Sequence, residues 1–378
     1  MKKVSKVLQV CSYYVVGPRL YQNLFDALDR LNIGQDVYAF THRNHEIRKD
    51  YPPNVTVAKC YNKWDRLLFH MKHVKVLKDI KKMPVHEYDM MHAHSLFSNG
   101  YIAYKLNQAY DIPYVVAVQN TDVNVFFKWM IGLRRLGIAV LKNAARVIFA
   151  SKPYLEYTIG CFVPEQDKDE INSKSVVIPY GVDTFWLQSE FRDRHKARGN
   201  HINLIYVGRI DANKNIEATA KACELLLEQG CEVSYTIVGE IEEPRYRKFI
   251  SERSFIRYVP YCQMEELINH YRAADIFVMP SKYETFGLVY AEAMSQGLPI
   301  IYTRGQGFDG QFNEGEVGYS VQYDSPKEIA DRVKEIVENY ETISANCVVK
   351  SRRFNWDRIA KEYLVLYEEA CCSKSGSN

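Results

Sequence analysis

Short apolar runs alternate with stretches carrying apolar residues at helical spacing along most of the chain. Val7-Leu8-Gln9-Val10 reads as a first strand, and residues 20–28 follow with the spacing of an amphipathic helix. Asp36-Val37-Tyr38-Ala39-Phe40, Tyr114-Val115-Val116-Ala117-Val118 and Arg146-Val147-Ile148-Phe149-Ala150 read as further strands. This alternation predicts an α/β fold, a parallel sheet with helices on both faces. Residues 188–200 break the pattern with Arg192, Asp193, Arg194, His195, Lys196 and Arg198 close together, as expected of an interdomain linker. Ile202-Asn203-Leu204-Ile205-Tyr206-Val207 then restarts it, with a Gly208 loop and an alanine-rich helix over 218–227. Two halves that each begin strand, loop, helix predict two Rossmann-like domains in tandem. Neither first strand leads into G-x-G-x-x-G, which argues against a dinucleotide cofactor.

The second half holds the most specific stretch. Asp275-Ile276-Phe277-Val278-Met279 reads as a strand, a helix begins near Phe286-Gly287, and Gly297 with Pro299 stops it before Ile300-Ile301-Tyr302. In such a βαβ unit, ligands sit outside the carboxyl ends of the strands. Glu284 falls in the loop. Glu292 falls in the helix, on a face with Leu288 and Ser295, among Ala291, Ala293 and Met294. A carboxylate there is costly to bury unless a group such as a ligand hydroxyl donates to it. Spacing alone leaves open a plainer reading, an exposed glutamate on an amphipathic helix.

Val207-Gly208-Arg209-Ile210-Asp211-Ala212-Asn213-Lys214-Asn215 is a second candidate. A strand ends at Gly208, and a loop with two cations leads to a helix N-terminus, where backbone N–H groups favour anions. Arg209 and Lys214 offer one bidentate fork and one point charge, a set that suits a diphosphate and equally describes two solvated loop cations. Gly305-Gln306-Gly307-Phe308-Asp309-Gly310 is glycine-dense, and reads as a phosphate or sugar contact or as a plain flexible loop.

Composition narrows the class without defining it. A chain of 378 residues, 47% hydrophobic and 25% charged, suits two globular domains, and a net charge of +3 gives no ground for nucleic acid binding. The 9 cysteines form no C-x-x-C pair and no Cys/His cluster at zinc-ligand spacing. They indicate a reducing, cytoplasmic setting without structural metal. Lys6 and Gln9 interrupt the first apolar run, so it reads as a strand and not as a signal peptide. Near the end, Ile359, Tyr363, Leu366 and Tyr367 form one stripe of an amphipathic helix.

Glu284 and Glu292, set in Pro-Ser-x-x-Glu-x-Phe-Gly and Glu-Ala-Met-x-x-Gly-x-Pro, resemble the Glu-x7-Glu motif of family 4 retaining glycosyltransferases. The terminal Phe354-Asn355-Trp356-Asp357-Arg358-Ile359-Ala360 is also similar to that family, so the resemblance covers nearly the whole chain. It implies the GT-B fold, two Rossmann-like domains facing a cleft, with a C-terminal helix crossing back to the first domain. The boundaries expected are 1–187 for the acceptor domain, 188–200 for the linker and 201–355 for the nucleotide-sugar domain. A returning helix over 356–372 and a disordered tail over 373–378 complete the chain.

By the resemblance, Arg209 and Lys214 hold the donor diphosphate and draw off the leaving group without a metal. Glu284 lies near the donor sugar and completes the catalytic set. Gly17, Gly208, Tyr261, Thr285, Phe286, Gly287 and Leu288 contribute donor contacts, and Glu292 takes the ribose hydroxyls. The implied reaction moves a hexosyl or N-acetylhexosaminyl unit from a nucleotide-diphosphate sugar, a UDP-sugar, to a saccharide or lipid-linked saccharide with retention, in cell-surface polysaccharide or glycoconjugate synthesis. No cofactor is expected, since the nucleotide sugar is itself the substrate. A non-catalytic nucleotide-sugar-binding subunit, an epimerase and a phosphorylase on the same architecture remain alternatives.

The first domain departs from the family pattern. After strand one there is a single glycine, Gly17, with Pro18 where a second is usual, and Pro18 has no N–H to donate. Gln119 stands where many relatives have a histidine, and it cannot take a proton as histidine does. His94, Gln119, Asn120 and Asp122 are the acceptor-side candidates. Two basic and aromatic segments, residues 66–82 and 126–146, suit an anionic membrane surface, and equally the solvated faces of ordinary helices.

Overall fold

The computed structural model describes residues 4–15, 19–47, 51–192 and 201–372. Gly17, most of the expected linker and the expected tail lie outside the described residues. The chain divides into two compact units, one of residues 1–150, 154–181 and 356–378, the other of 151–153 and 182–355.

In the first unit seven strands form one parallel sheet: β1 (Lys6–Val10), β2 (Gly34–His42), β3 (Val55–Tyr61), β4 (Met90–Ala93), β5 (Tyr114–Val118), β6 (Arg146–Phe149) and β7 (Ser175–Val177). Their order is β3-β2-β1-β4-β5-β6-β7. Period-two alternation sorts the side chains into two cores. Leu8, Val10, Tyr38, Phe40, Val116 and Val118 pack on one face, and Val7, Val37, Ala39, Val115 and Ala117 on the other. All five residues of β5 are buried, as in a strand covered on both sides.

The second face is closed by the helices Leu20–Asp29 and Trp356–Cys372. The stripe Ile359, Tyr363, Leu366 and Tyr367 is buried there, and each such side chain removed from water is worth about 1.5–3 kcal/mol. Gln9, the polar residue that interrupts strand one, is fully buried against this helix. It exchanges hydrogen bonds with Gln35 (3.0 Å) and His94 (2.8 Å), and Tyr367 is 3.5 Å away.

The second unit has β8 (His201–Val207), β9 (Glu232–Val238), β10 (Ile256–Val259), β11 (Ile276–Met279), β12 (Ile300–Thr303) and β13 (Gly318–Val321), all parallel, in the order β10-β9-β8-β11-β12-β13. Counted from β8 this is 3-2-1-4-5-6, so the strand order reverses between β8 and β11, and a crevice opens beyond their carboxyl ends. The helix Ile216–Glu228 follows β8 and the helix Leu288–Ser295 follows β11.

The second unit takes up the chain at Val182, and the short helix Thr184–Gln188 packs within it. Trp186 there is 1% exposed, with its ring edge-on to Tyr271 at 5.4 Å and its carbonyl 3.4 Å from the Gln296 amide.

Candidate active site

The loops after β8 and β11 meet at the switch point of the second sheet. Lys214 Nζ lies 2.6 Å from Glu284 Oε2, with both side chains largely buried. The loop after β8 is first folded by Asp211, whose Oδ1 accepts from the amides of Asn213 (2.9 Å) and Lys214 (3.0 Å). Asn213 then clips the two loops together: its Nδ2 donates to the Tyr283 carbonyl and its Oδ1 accepts from the Tyr283 amide, both at 3.0 Å. Lys282 N also donates to the Asn213 carbonyl at 2.8 Å. Asn215, buried and at φ 58°, donates to the carbonyls of Pro280 (3.1 Å) and Tyr323 (2.6 Å).

The glycine-dense loop after β12 braces the glutamate. Glu284 N donates to Gln306 Oε1 at 2.9 Å, and Gly307 N donates to the Glu284 carbonyl at 2.7 Å. A Cβ on Gly307 would sit 2.1 Å from the carbonyl carbon of Thr285, so only glycine allows this approach. The loop is therefore a support for Glu284 and not a plain flexible segment. Gly287, at φ +83°, caps the helix Leu288–Ser295, and a Cβ there would strike the Tyr290 ring at 2.5 Å. Thr285 N donates to Glu284 Oε1 at 3.1 Å, while Phe286 is buried against Phe308 and Phe354.

A cavity of about 390 Å³ opens at the carboxyl ends of β8, β9 and β10. Gly208, Arg209, Tyr261 and Glu292 line it, with Trp186 and Cys262, which the sequence did not single out. Arg209 is 69% exposed, its guanidinium 3.9 Å from the Glu242 carboxylate. Tyr261 is exposed as well. Glu292 is deeply set, and burial pushes its carboxyl up to about 7 in spite of the Tyr271 hydroxyl 3.3 Å away; the charge of Asp183 adds to the shift. It is thus not the exposed helix glutamate that spacing alone allowed. Lys214 and Glu284 are absent from the cavity's lining and form the separate charged pair described above.

The acceptor-side candidates of the first unit have a different outcome. Asp122 is 1% exposed, and its carboxylate accepts from the amides of Leu96 (2.8 Å), Phe97 (3.0 Å) and Gln119 (2.8 Å). Burial pushes it up to about 6 against the pull of those three amides. Asp122 ties the loops after β4 and β5 together from inside the first unit. His94 is also internal. Its ring lies 5.0 Å from that of Tyr21 and 5.3 Å from that of Phe25, bonded to Gln9, and burial holds it well below the ordinary histidine range. Gln119 is half-buried and accepts from the Tyr180 hydroxyl at 2.5 Å. His94, Gln119 and Tyr180 border a hole of about 10 Å³, room for roughly one water. Of the four, Asn120 alone is exposed, accepting from Asn124 Nδ2 at 3.2 Å.

The chain matches two known family descriptions end to end, "glycosyltransferase family 4" over residues 19–185 and "glycosyl transferases group 1" over residues 188–353. It is a GT-B glycosyltransferase and belongs to the family 4 type. A probable sucrose-phosphate synthase of Thermosipho melanesiensis is 31% identical over 210 residues, 53% of this chain and 48% of that protein, so this match spans about half of each. A D-inositol 3-phosphate glycosyltransferase of Paenarthrobacter aurescens is 24% identical over 80% of this chain and 78% of its own. Among solved structures, Anabaena HepE in complex with UDP-glucose superposes with a TM-score of 0.64 at 16% identity, over 94% of this chain and 97% of that one.

Proposed function

We propose that the chain moves a hexosyl-type sugar from a UDP-sugar to a saccharide or lipid-linked saccharide, with retention of configuration, in cell-surface polysaccharide or glycoconjugate synthesis. The observation that carries the reading is the meeting of Lys214 and Glu284 at the switch point of the second sheet, with a cavity beside the same strand ends walled by Gly208, Arg209, Tyr261 and Glu292. UDP-glucose in the superposable HepE supports a uridine donor, and the phosphorylated polyols and sugars in the relatives' names support a hydroxyl acceptor.

The nucleotide occupies the cavity, with Glu292 accepting from the ribose hydroxyls. The diphosphate lies toward Arg209, Lys214 and the amides at the start of the helix Leu288–Ser295. As the bond from the anomeric carbon to the diphosphate oxygen breaks, negative charge grows on that oxygen. Fixed cations there stabilise the transition state more than the ground state. The acceptor hydroxyl forms its new bond on the same face and gives its proton to the departing phosphate oxygen. Glu284 orients Lys214 and stays charge-paired instead of attacking carbon. A thermal-shift screen across nucleotide sugars tests the donor assignment: UDP-sugars raise the melting temperature through Glu292, and no rise with any nucleotide sugar contradicts it.

An anionic membrane surface is part of the proposal, in keeping with a lipid-linked acceptor met on the cytoplasmic side. The support is a concentration of exposed apolar side chains in two basic stretches of the first unit. Val74 is 64% exposed in the first, Trp129 73% and Ile131 66% in the second, and Trp64, just before the first stretch, is 79% exposed. Lys75, Lys78, Lys128 and Arg135 stand among them. The stretches are joined where Phe69 and Phe126 approach to 6.1 Å. Aromatic and aliphatic groups flanked by lysine and arginine suit the boundary of an anionic bilayer. Among the described residues no helix is long and apolar enough to cross a membrane.

A further inference from the structure

The loop after β10 and the helix Met264–Ala273 gather three metal-ligating side chains that the transfer reaction does not use. Cys262 Sγ, a carboxylate oxygen of Glu266 and a ring nitrogen of His270 all lie within 4.8 Å of one another. Glu266 and His270 are four residues apart on one helical face, and Cys262 stands four residues before Glu266, just ahead of the helix. Leu267, Ile268 and Tyr271 are buried on the opposite side, which fixes the helix's rotation and keeps the three ligands together. Cys262 and His270 are half-buried, and Glu266 is exposed.

We propose that these three residues bind a zinc ion, with a water as fourth ligand. One sulfur, one nitrogen and one oxygen make a set that suits a borderline-soft divalent ion and not magnesium or calcium, which take oxygen ligands. Zinc–ligand bonds of about 2.0–2.3 Å place tetrahedral donors roughly 3.3–3.8 Å apart, a contraction that side-chain rotation supplies. On binding, the thiol of Cys262 loses its proton to solvent as the sulfur–zinc bond forms. The thiolate and the Glu266 carboxylate then balance the ion's charge.

The position gives the site a regulatory meaning. Cys262 and its neighbour Tyr261 form part of the cavity wall, together with Met264 and Leu267 at the start of the same helix. A cation held there would immobilise part of that wall, and any coupling to the cavity's ligand would be reciprocal, each changing the other's affinity by the same factor.

Cobalt titration of the full chain, stripped with chelator and kept reduced, tests the proposal without any nucleotide and so independently of the donor assignment. The expected result is one equivalent of Co²⁺ bound, with a thiolate-to-cobalt charge-transfer band and the intense visible bands of four-coordinate cobalt, bleached by Zn²⁺. Cys262→Ser removes the charge-transfer band, and His270→Ala weakens cobalt binding by about tenfold or more. Glu266→Gln, at an exposed position, weakens it while leaving the fold undisturbed. No charge-transfer band at saturation, or a band that survives Cys262→Ser, overturns the proposal.

Discussion

The Lys214 ammonium and the Glu284 carboxylate, 70 residues apart in sequence, stand 2.6 Å from each other and hold the loops after β8 and β11 in contact. Removing one partner leaves the other as a half-buried charge. Lys214→Ala is expected to lower kcat about 10²–10³-fold with a much smaller effect on donor Kd, since the cation acts on the leaving group. Single-turnover kinetics beside a direct binding titration separate the two. A loss confined to donor Kd, with kcat unchanged, contradicts the assignment.

Asn213 is the second handle on this contact, through paired hydrogen bonds to the Tyr283 backbone. Asn213→Ala loses both, at about 0.5–1.5 kcal/mol each. The unfolding free energy from urea titration should fall by about the sum of the two, and kcat should fall while the far-UV spectrum stays unchanged. Asn213→Asp keeps the acceptor for Tyr283 N–H and should recover part of the stability.

Gly307→Ala tests the brace behind Glu284. Because the added methyl meets the Thr285 backbone and not a flexible side chain, the loops must separate. Donor binding should drop, with a clear fall in melting temperature. Gly305→Ala meets nothing within 4 Å but sits at φ +73°, so it should cost only the backbone strain of that one residue, about 1 kcal/mol.

Glu292 makes donor affinity depend on pH. Burial pushes its carboxyl up to about 7, and in the proposed complex only the ionised form would accept from both ribose hydroxyls. Donor Kd should therefore weaken as pH falls through about 7. Folding stability runs the other way: the folded state holds this proton more tightly than the unfolded chain does, so this group's contribution to stability falls as pH rises from the ordinary glutamate range to about 7. Glu292→Gln should flatten both profiles and weaken the donor about tenfold to a hundredfold. Isothermal titration at pH 6 and pH 8, beside melting curves at the same values, checks the two signs.

For the membrane face, vesicles rich in phosphatidylserine should carry the protein upward in flotation at low salt, and neutral vesicles should not. Trp129→Glu with Trp64→Glu should abolish it, because both rings are exposed and their loss disturbs no core. Flotation unchanged by the double substitution contradicts the surface proposed here.

The fold was legible because both units repeat one pattern. Val7, Leu8 and Val10 distribute to opposite faces as period-two spacing requires, and the stripe from Ile359 to Tyr367 packs as its helical spacing predicts. The charged residues of the donor half could be named from their motifs: Arg209, Lys214 and Glu284 lie in loops between a strand and a helix, and Glu292 lies inside the helix Leu288–Ser295. Asn213, Gln306 and Gly307 stayed hidden as supports because each acts across loops distant in sequence. The surroundings of two acceptor-side candidates were hidden for the same reason. His94 and Asp122 look like surface chemistry at strand ends, but Tyr21, Phe25 and three amides enclose them. Cys262, Glu266 and His270 carry only helical spacing, which does not show that their side chains converge.

Release of UDP from UDP-sugars, with and without a mixture of saccharide and lipid-linked acceptors, tests the central claim most directly when wild type and Lys214→Ala are run side by side. The account predicts acceptor-dependent UDP release by wild type, reduced about 10²-fold or more in the variant while the donor still binds. Donor binding with equally slow release by both proteins would contradict it, and would mark the chain as a nucleotide-sugar-binding subunit instead of a transferase.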